Sequence, residues 1–542
     1  MQTVALPPGW EHHAAPVATL LEGCGPPILW WASAVLLLAA ALLLLEKRPG
    51  LSTILAVLSA LVLGIACNGL VDDAYIQFRY AANLAAGHGP VFNAGERLEG
   101  ASGGIWIGAV ALASALTGRD AGSCARTLSI VFAGFAAAAA AALGHAIEGR
   151  RGAGLAAIVW AALPTPALYA ATGLETAAFA FALLGVGAAV ARGRRGPATL
   201  AGALAATLRP EGIVLALGAA PFWKRLGRAG RFALGGGVLA AAVIAAARLS
   251  YYGQPVPRPV LVKGVIAAAG AGAGLRYLGQ AAFEWWPLLP AALWIAPRFR
   301  VLLPALAPAT LWIGVVLARG GDWMPGGRYL LPLLVIVAFA AAMAAARLPG
   351  RAALWLAIAP VAWGLVLLMP HEQPLDQTSY VPAGRAWRAM AEHRVQSRWW
   401  EGLGTWVRRS VPPGTFLATG PSGALPYAAR LRTFDLYGLC SQVTQPREGE
   451  AGHRLWGLKD AVAAGVDVIY PGQGLLMVES EEAVLASARL HFADTPGVLE
   501  RYRPVAISHA PEYHLDFLRD VLWVRPDLLE AVPRAEPGRA GG

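Results

Sequence analysis

Charge is what this chain has least of. Only 14% of its 542 residues are Asp, Glu, Lys or Arg, against 56% that are hydrophobic. That balance excludes a soluble domain of this size. Cysteine is scarce as well: Cys24, Cys67, Cys124 and Cys440 share no metal-ligand or redox spacing, which argues against a disulfide framework and a cysteine metal site. Residues 1–26 carry His12, His13 and Glu22 but no basic stretch leading into a short apolar core, so no cleavable signal peptide is expected. The two halves show no convincing repeat of the kind many transporters carry. The net charge of +11 lies largely in short loops between apolar runs, which is the positive-inside pattern of a membrane protein and not a nucleic-acid footprint.

What the chain does have is long apolar runs. Segments suited to membrane helices occupy about 27–45, 51–70, 123–146, 153–171, 175–191, 197–208, 211–222, 231–249, 282–296, 301–318, 329–347 and 352–369, although several fall short of the roughly 20 residues a full span wants. A further segment, 104–117, has a polar loop on each side. If it dips into the membrane and returns, the basic clusters Lys47-Arg48, Arg150-Arg151, Arg192 to Arg195, Lys224 to Arg231, Arg298 to Arg300 and Arg347 to Arg351 all face the cytoplasm. The loops at 72–102, 173–176, 209–211, 251–280 and 319–328, and everything after about 370, then share the outer face. The expected fold class is mainly α: a polytopic transmembrane helix bundle of about 11–13 membrane segments at 1–369, with a C-terminal extracytoplasmic α/β domain at 370–530 and a disordered tail at 531–542. Within the α/β domain, 415–419 and 466–470 alternate like short buried strands.

The polar residues that interrupt this pattern are few and clustered. Asp72 and Asp73 stand side by side where an apolar helix ends. Hydrocarbon does not hold carboxylates ionised without a partner or a wet cavity; interfacial water is the bland alternative. On a helix starting there, Asp72, Tyr75 or Ile76, and Arg79 share a face. A carboxylate in that place suits a base for a hydroxyl, and a guanidinium suits a phosphate, while an intrahelical ion pair would also explain Arg79. The loop from Leu317 to Tyr329 sets Arg319, Asp322 and Arg328 among Gly320, Gly321, Pro325, Gly326 and Gly327, a composition that permits close backbone approach to a ligand. Glu175 and Glu211 each open an apolar helix, where the helix dipole alone accounts for an acid. Arg258 and Lys263 add two cations on the same face, for phosphate or for lipid headgroups. His88 and Glu99 have no tight metal-ligand spacing with an aspartate and read as parts of a solvated loop.

Together, Asp72-Asp-Ala-Tyr-Ile-Gln-Phe-Arg-Tyr-Ala-Ala-Asn-Leu84, Gly87-His-Gly-Pro-Val-Phe-Asn93, Gly95-Glu-Arg-Leu-Glu-Gly100, Trp106, Gly173-Leu-Glu-Thr176, Leu208-Arg-Pro-Glu-Gly212 and Gly320-Gly-Asp-Trp-Met-Pro-Gly-Gly-Arg328 resemble the bacterial membrane glycosyltransferases of the GT-C superfamily. Among named members, the motifs resemble those of the actinobacterial terminal β-(1→2)-arabinofuranosyltransferases and their homologues. The resemblance covers most of the membrane region and, more weakly, Gly423 to Tyr427, Phe434 to Gly438 and Gly452-His453. Two departures touch loops that would meet substrate. Ala101-Ser102-Gly103 stands where the family usually has Tyr-Thr-Asn, and Pro257-Arg258-Pro259 stands where it often has Pro-Asn-Thr; the sugar therefore does not carry over.

The resemblance implies an inverting transfer of a sugar, a pentofuranose in those relatives, from a polyprenyl-phosphate carrier. The acceptor is a hydroxyl of a cell-envelope glycan or glycolipid, on the outer side of the bacterial (inner) cell membrane. It implies Asp72 or Asp73 as general base, Arg79, Lys263, Arg319 and Arg328 for the donor phosphate, and Tyr75, Glu99, Glu175 and Asp322 for substrate. Some members use a divalent cation and others none, and the sequence does not decide between them. The implied partners are the lipid-linked donor, the acceptor and membrane lipid, with no nucleic acid. A transporter or flippase of lipid-linked saccharides is the alternative, since it too would bury charge in a helix bundle; a scaffold would not need acids and arginines on one face.

Overall fold

The computed structural model describes residues 27–532 apart from 46, 67–68, 267–269, 296–302, 323, 325, 350–351, 353–358, 360–362, 364–382, 444–456, 473–496 and 508–519. Two uncharged apolar helices open it, α1 (Pro27–Leu45) and α2 (Pro49–Ala66). The chain then turns polar and forms α3 (Asp72–Ala85), with both aspartates in its first turn, the end at which the helix dipole favours a carboxylate. Next, α4 (Gly104–Thr117) has 14 residues, about 21 Å of helix against a hydrocarbon core of about 30 Å. It starts beside Gln77 of α3, and α5 (Ala121–Ala161) starts beside Leu70 and Phe78. The starts of both helices thus lie against α3.

Helix α5 reverses in its middle. Glu148 and Gly149 leave helical geometry, Gly149 with φ 65°, and the two arms meet where Gly144 and Gly152 bring backbone against backbone. The expected segments at 123–146 and 153–171 are therefore a helical hairpin whose second arm ends at Ala161, followed by α6 (Pro164–Tyr169). Then α7 (Thr176–Ala191), α8 (Arg195–Leu208), α9 (Pro210–Ala219) and α10 (Arg228–Tyr252) run up and down in turn. Among the described residues, four helices are long and apolar enough to cross a membrane, at Pro49–Ala66, Ala121–Ala161, Arg228–Tyr252 and Arg328–Arg347; the protein is a multi-pass membrane protein.

Charge separates along these helices. Glu148 pairs with Arg347 at 2.6 Å, and Arg151 donates to the Leu348 carbonyl at 2.8 Å, so the basic turn at 150–151 and Arg347 lie together. Gly154 packs on Leu44 and Pro49, which brings the Lys47-Arg48 turn to the same end. Glu175, Arg209, Tyr252 and the loop after α14 (Leu303–Arg319) collect at the other end, before α15 (Leu331–Arg347).

One part of the sequence expectation fails. The stretch 251–280 is largely helical and not loop, as α11 (Arg258–Ile266) and α12 (Gly270–Trp285), and the expected span at 282–296 breaks before α13 (Leu289–Ile295). Pro287 has no N–H to continue the ladder and restricts Trp286 before it. Of the span expected at 352–369 only residues 352, 359 and 363 are among those described, and the tail expected at 531–542 lies outside them from 533 onward.

After α16 (Ala383–Ser410) comes a five-stranded sheet of order β2-β1-β3-β5-β4, built from β1 (Phe416–Thr419), β2 (Arg432–Asp435), β3 (Val468–Tyr470), β4 (Arg503–Ile507) and β5 (Asp520–Val524). Strand β1 runs parallel to β2 and β3; β5 is antiparallel to β3 and β4. Leu403, Val407, Leu417 and Leu522 fill one side of the sheet, and Phe434, Leu458, Ile469 and Trp523 the other. Strands β1 and β3 fall where the alternation at 415–419 and 466–470 expects them. A short helix, α17 (Ala424–Ala429), follows β1 and lies against α3.

Candidate active site at the seam between bundle and domain

Successive residues on a helix point about 100° apart, so the two aspartates of α3 look in different directions. The face carrying Asp72, Tyr75 and Arg79 turns to the C-terminal domain. Asp72 Oδ1 accepts the Ala424 N–H at 2.7 Å, and Gly423 lies so close that a Cβ there would strike the Asp72 carbonyl and Oδ1. The Tyr75 hydroxyl donates to Glu401 at 3.0 Å, with its ring on Phe78 and Tyr427. Arg79 donates to the carbonyls of Phe92, Pro426 and Leu431, each at 2.6 Å, and to Asn93 Oδ1 at 2.9 Å. Helix α17 is thereby gripped at both ends, by Asp72 at its amide end and by Arg79 at its carbonyl end.

Burial dominates the electrostatics of this face. It pushes the Asp72 carboxyl up to about 7, helped by the charges of Asp73 and Asp435 and opposed by the amides of Ala424 and Gly423. It also draws Arg79 down to about 10. Asp435, on β2, is fully buried and raised by burial; it accepts from Ser422 Oγ at 2.5 Å, Cys440 N at 2.7 Å and Tyr437 N at 2.9 Å.

Asp73 and Gln77, one turn apart, face the bundle. Asp73 lies 3.6 Å from Arg328, whose Nε is held by Asp322 at 2.5 Å. Gln77 donates to Glu175 at 2.8 Å, and Glu175 also takes Arg209 at 3.0 Å. Glu211 closes on the same guanidinium at 2.5 Å. The Tyr329 ring has Arg209 at 5.8 Å and Arg328 at 5.5 Å from its centroid, so the two clusters adjoin. The loop that delivers Asp322 and Arg328 needs glycine: Gly320, Gly321, Gly326 and Gly327 have φ of 76°, 99°, 83° and 68°, a region that side chains disfavour.

The expected site residues therefore divide. Asp73, Glu175, Asp322 and Arg328 come together, Asp72 is one residue away, and Tyr75 and Arg79 join helix to domain. Glu99 pairs with Arg248 at 2.9 Å, and its carbonyl accepts the Arg258 N–H at 3.1 Å. Arg319 donates to the Val260 carbonyl at 2.9 Å, away from the acid cluster. The Lys263 side chain lies outside the described residues. Sequence reasoning set aside Glu211 as a dipole effect and missed Gln77, Arg209 and Asp435 as site residues; only the i+4 spacing of Gln77 from Asp73 could have signalled one of them. Among the described residues no three His, Cys, Asp or Glu side chains converge as a metal site needs.

A family model described as a domain of unknown function (DUF8728) matches residues 385–515, within the α/β domain. No curated protein matches the chain. The crystal structure of ArnT from Cupriavidus metallidurans bound to undecaprenyl phosphate superposes with a TM-score of 0.55 at 15% identity, covering 89% of this chain and 98% of that one. The chain has the ArnT fold. The apo-state crystal structure of the same ArnT superposes at 0.54 and 13% identity with the same coverage. That coverage takes in parts of both the bundle and the α/β domain.

Proposed function

We propose that this protein is an inverting glycosyltransferase that moves a sugar from a polyprenyl-phosphate carrier to an acceptor hydroxyl, with Asp72 as general base. The observation that carries the reading is the position of Asp72. Its carboxyl is at the seam, raised to about 7, one residue from Asp73 and the arginine cluster. A base whose pKa lies near working pH is both largely ionised and able to take a proton. The acceptor hydroxyl gives its proton to Asp72 as its oxygen bonds to the anomeric carbon. The bond from that carbon to the carrier phosphate oxygen breaks, and the phosphate leaves with the electron pair. That departing charge needs positive charge beside it, which Arg328 supplies.

Asp322 orients Arg328, Glu175 and Gln77 face the sugar, and Tyr75, Arg79 and Glu99 hold the surrounding structure. A solved ArnT bound to undecaprenyl phosphate supports the polyprenyl carrier, and the basic clusters at the opposite end of the helices support an extracytoplasmic site serving the cell envelope. Sugar transfer from a polyprenyl-phosphate donor by the purified protein in detergent separates this reading from a transporter, which returns its substrate unchanged. Asp72→Asn is expected to abolish that transfer while the protein still folds; wild-type turnover in Asp72→Asn refutes the assignment.

A further inference from the structure

Resting on Asp72 as the base, we infer that the C-terminal domain is part of the catalytic apparatus: its turn from Gly420 to Ala424, fastened by Asp435 through Ser422, positions the Asp72 carboxylate for proton transfer. The turn leaves β1 under close control. Gly420 N–H donates to the Tyr470 carbonyl at 3.1 Å, and the Thr419 carbonyl accepts the Leu436 N–H at 3.0 Å. Beneath it, Asp435 receives Ser422 Oγ and the amides of Tyr437 and Cys440. A carboxylate holding that many donors at a fully buried position is a rigid peg, and Ser422 ties the turn to it one residue before Gly423. Gly423 has no side chain to keep the turn away from Asp72, so the Ala424 N–H reaches Oδ1. Arg79 grips the far end of α17 at the Pro426 and Leu431 carbonyls, which prevents the helix from tilting off.

The amide has a chemical consequence as well as a geometric one. A hydrogen bond to the ionised form favours that form, so the turn offsets part of the burial that raises the Asp72 carboxyl. The titratable groups that face Asp72 are Asp73 and Tyr75 on α3 and Asp435 and Tyr437 from the domain; His393, on α16, faces Asp73. The turn supplies the stabilising donors among these mostly acidic neighbours. Asp435 and Ser422 act through Ala424 and are positioning residues.

The test uses the full chain and the pH profile of kcat/KM for transfer. Ala424→Pro removes the N–H at the first residue of α17, a place where helices accept proline. It is expected to move the acid limb to higher pH by about one unit, to lower kcat about tenfold and to leave the donor KM within about twofold. Ser422→Ala is expected to move the limb in the same direction by less, and Ser422→Thr to restore it. An acid limb unmoved in a folded Ala424→Pro, or in Ser422→Ala should Ala424→Pro fail to fold, overturns the inference while an inert Asp72→Asn leaves the base assignment standing. Activity in Asp72→Asn instead removes the reading on which the inference rests.

Discussion

Arg79 admits two accounts, a structural clamp or a phosphate ligand, and replacing it by methionine distinguishes them. Methionine keeps an aliphatic stem in place and deletes the guanidinium. Four well-placed acceptors lose their donor: the carbonyls of Phe92, Pro426 and Leu431 and the Asn93 side chain. At about 1 kcal/mol for each bond the loss is about 4 kcal/mol, in the range of about 3–5 kcal/mol found when a buried charged network loses one partner. Two of the four acceptors belong to the C-terminal domain, so the damage concentrates at the seam. For a unit of that domain's size, about 2–4 °C per kcal/mol gives a fall of about 10 °C in its melting, followed by tryptophan fluorescence or by protease sensitivity of the domain. Arg79→Lys keeps the charge without the fork that serves acceptors in several directions, and is expected to recover less than half of the loss. The donor KM should stay within about twofold of wild type in the lysine variant, since Nε, Nη1 and Nη2 of Arg79 are all engaged by buried acceptors of the protein. An unchanged melting temperature with a donor KM raised tenfold would make Arg79 a phosphate ligand and refute the reasoning.

Two further outcomes follow from the electrostatics of α3. Asp72 ionises near 3.8 in the unfolded chain and near 7 in the folded one, so the folded state binds the proton more tightly, and its contribution to stability is greatest at low pH and is lost as pH rises from about 4 to about 7. Activity should run the other way and fall below about pH 7 as the base is protonated; turnover that stays flat down to pH 5 would contradict this. Asp73→Asn should lower the donor KM and kcat together and move the acid limb to lower pH, measured with the same lipid-linked donor; a raised donor KM would contradict it.

Much of the architecture was legible because membrane helices announce themselves by length and apolarity, and because charged turns sort by side. Arg151 and Arg347, from two clusters expected on one side, lie close together through Leu348 and Glu148. The hairpin in α5 was legible from Glu148 to Arg151 interrupting an apolar run. The helices at 258–266 and 270–285 were not, since their mixed polarity reads as loop and only packing against the bundle makes them helical. At the site, the i, i+3, i+7 face of Asp72, Tyr75 and Arg79 was read correctly as a shared face, but its partner was not. Nothing in the sequence near residue 79 says that the Pro426 carbonyl, 347 positions away, will accept from Arg79. Arg209 was hidden for a related reason: beside Glu211 it looks like a helix-end pair, and its second partner, Glu175, sits in a different helix turn.

The charge count around the bundle face is the reason Asp73→Asn is expected to act differently from Asp72→Asn. Asp73, Asp322, Glu175 and Glu211 surround Arg209 and Arg328, four carboxylates for two guanidiniums. A cluster of that formal sign repels a phosphate unless one acid gives up its arginine. The contacts that hold Arg209, at 3.0 and 2.5 Å, and the one from Arg328 to Asp322, at 2.5 Å, are close, whereas Asp73 to Arg328 is 3.6 Å. Breaking a tight buried pair costs several kcal/mol unless a new partner arrives, so the loose pair is the one a phosphate oxygen replaces at least cost. Asp73 then competes with the donor for Arg328, and removing its charge tightens the donor. Once displaced, Asp73 is no longer neutralised by Arg328, and its charge raises the proton affinity of Asp72. On the proposed function, binding of the carrier phosphate is expected to strengthen the base next to it. Asp73→Asn removes both effects at once, which is why it should bind the donor more tightly and turn it over more slowly.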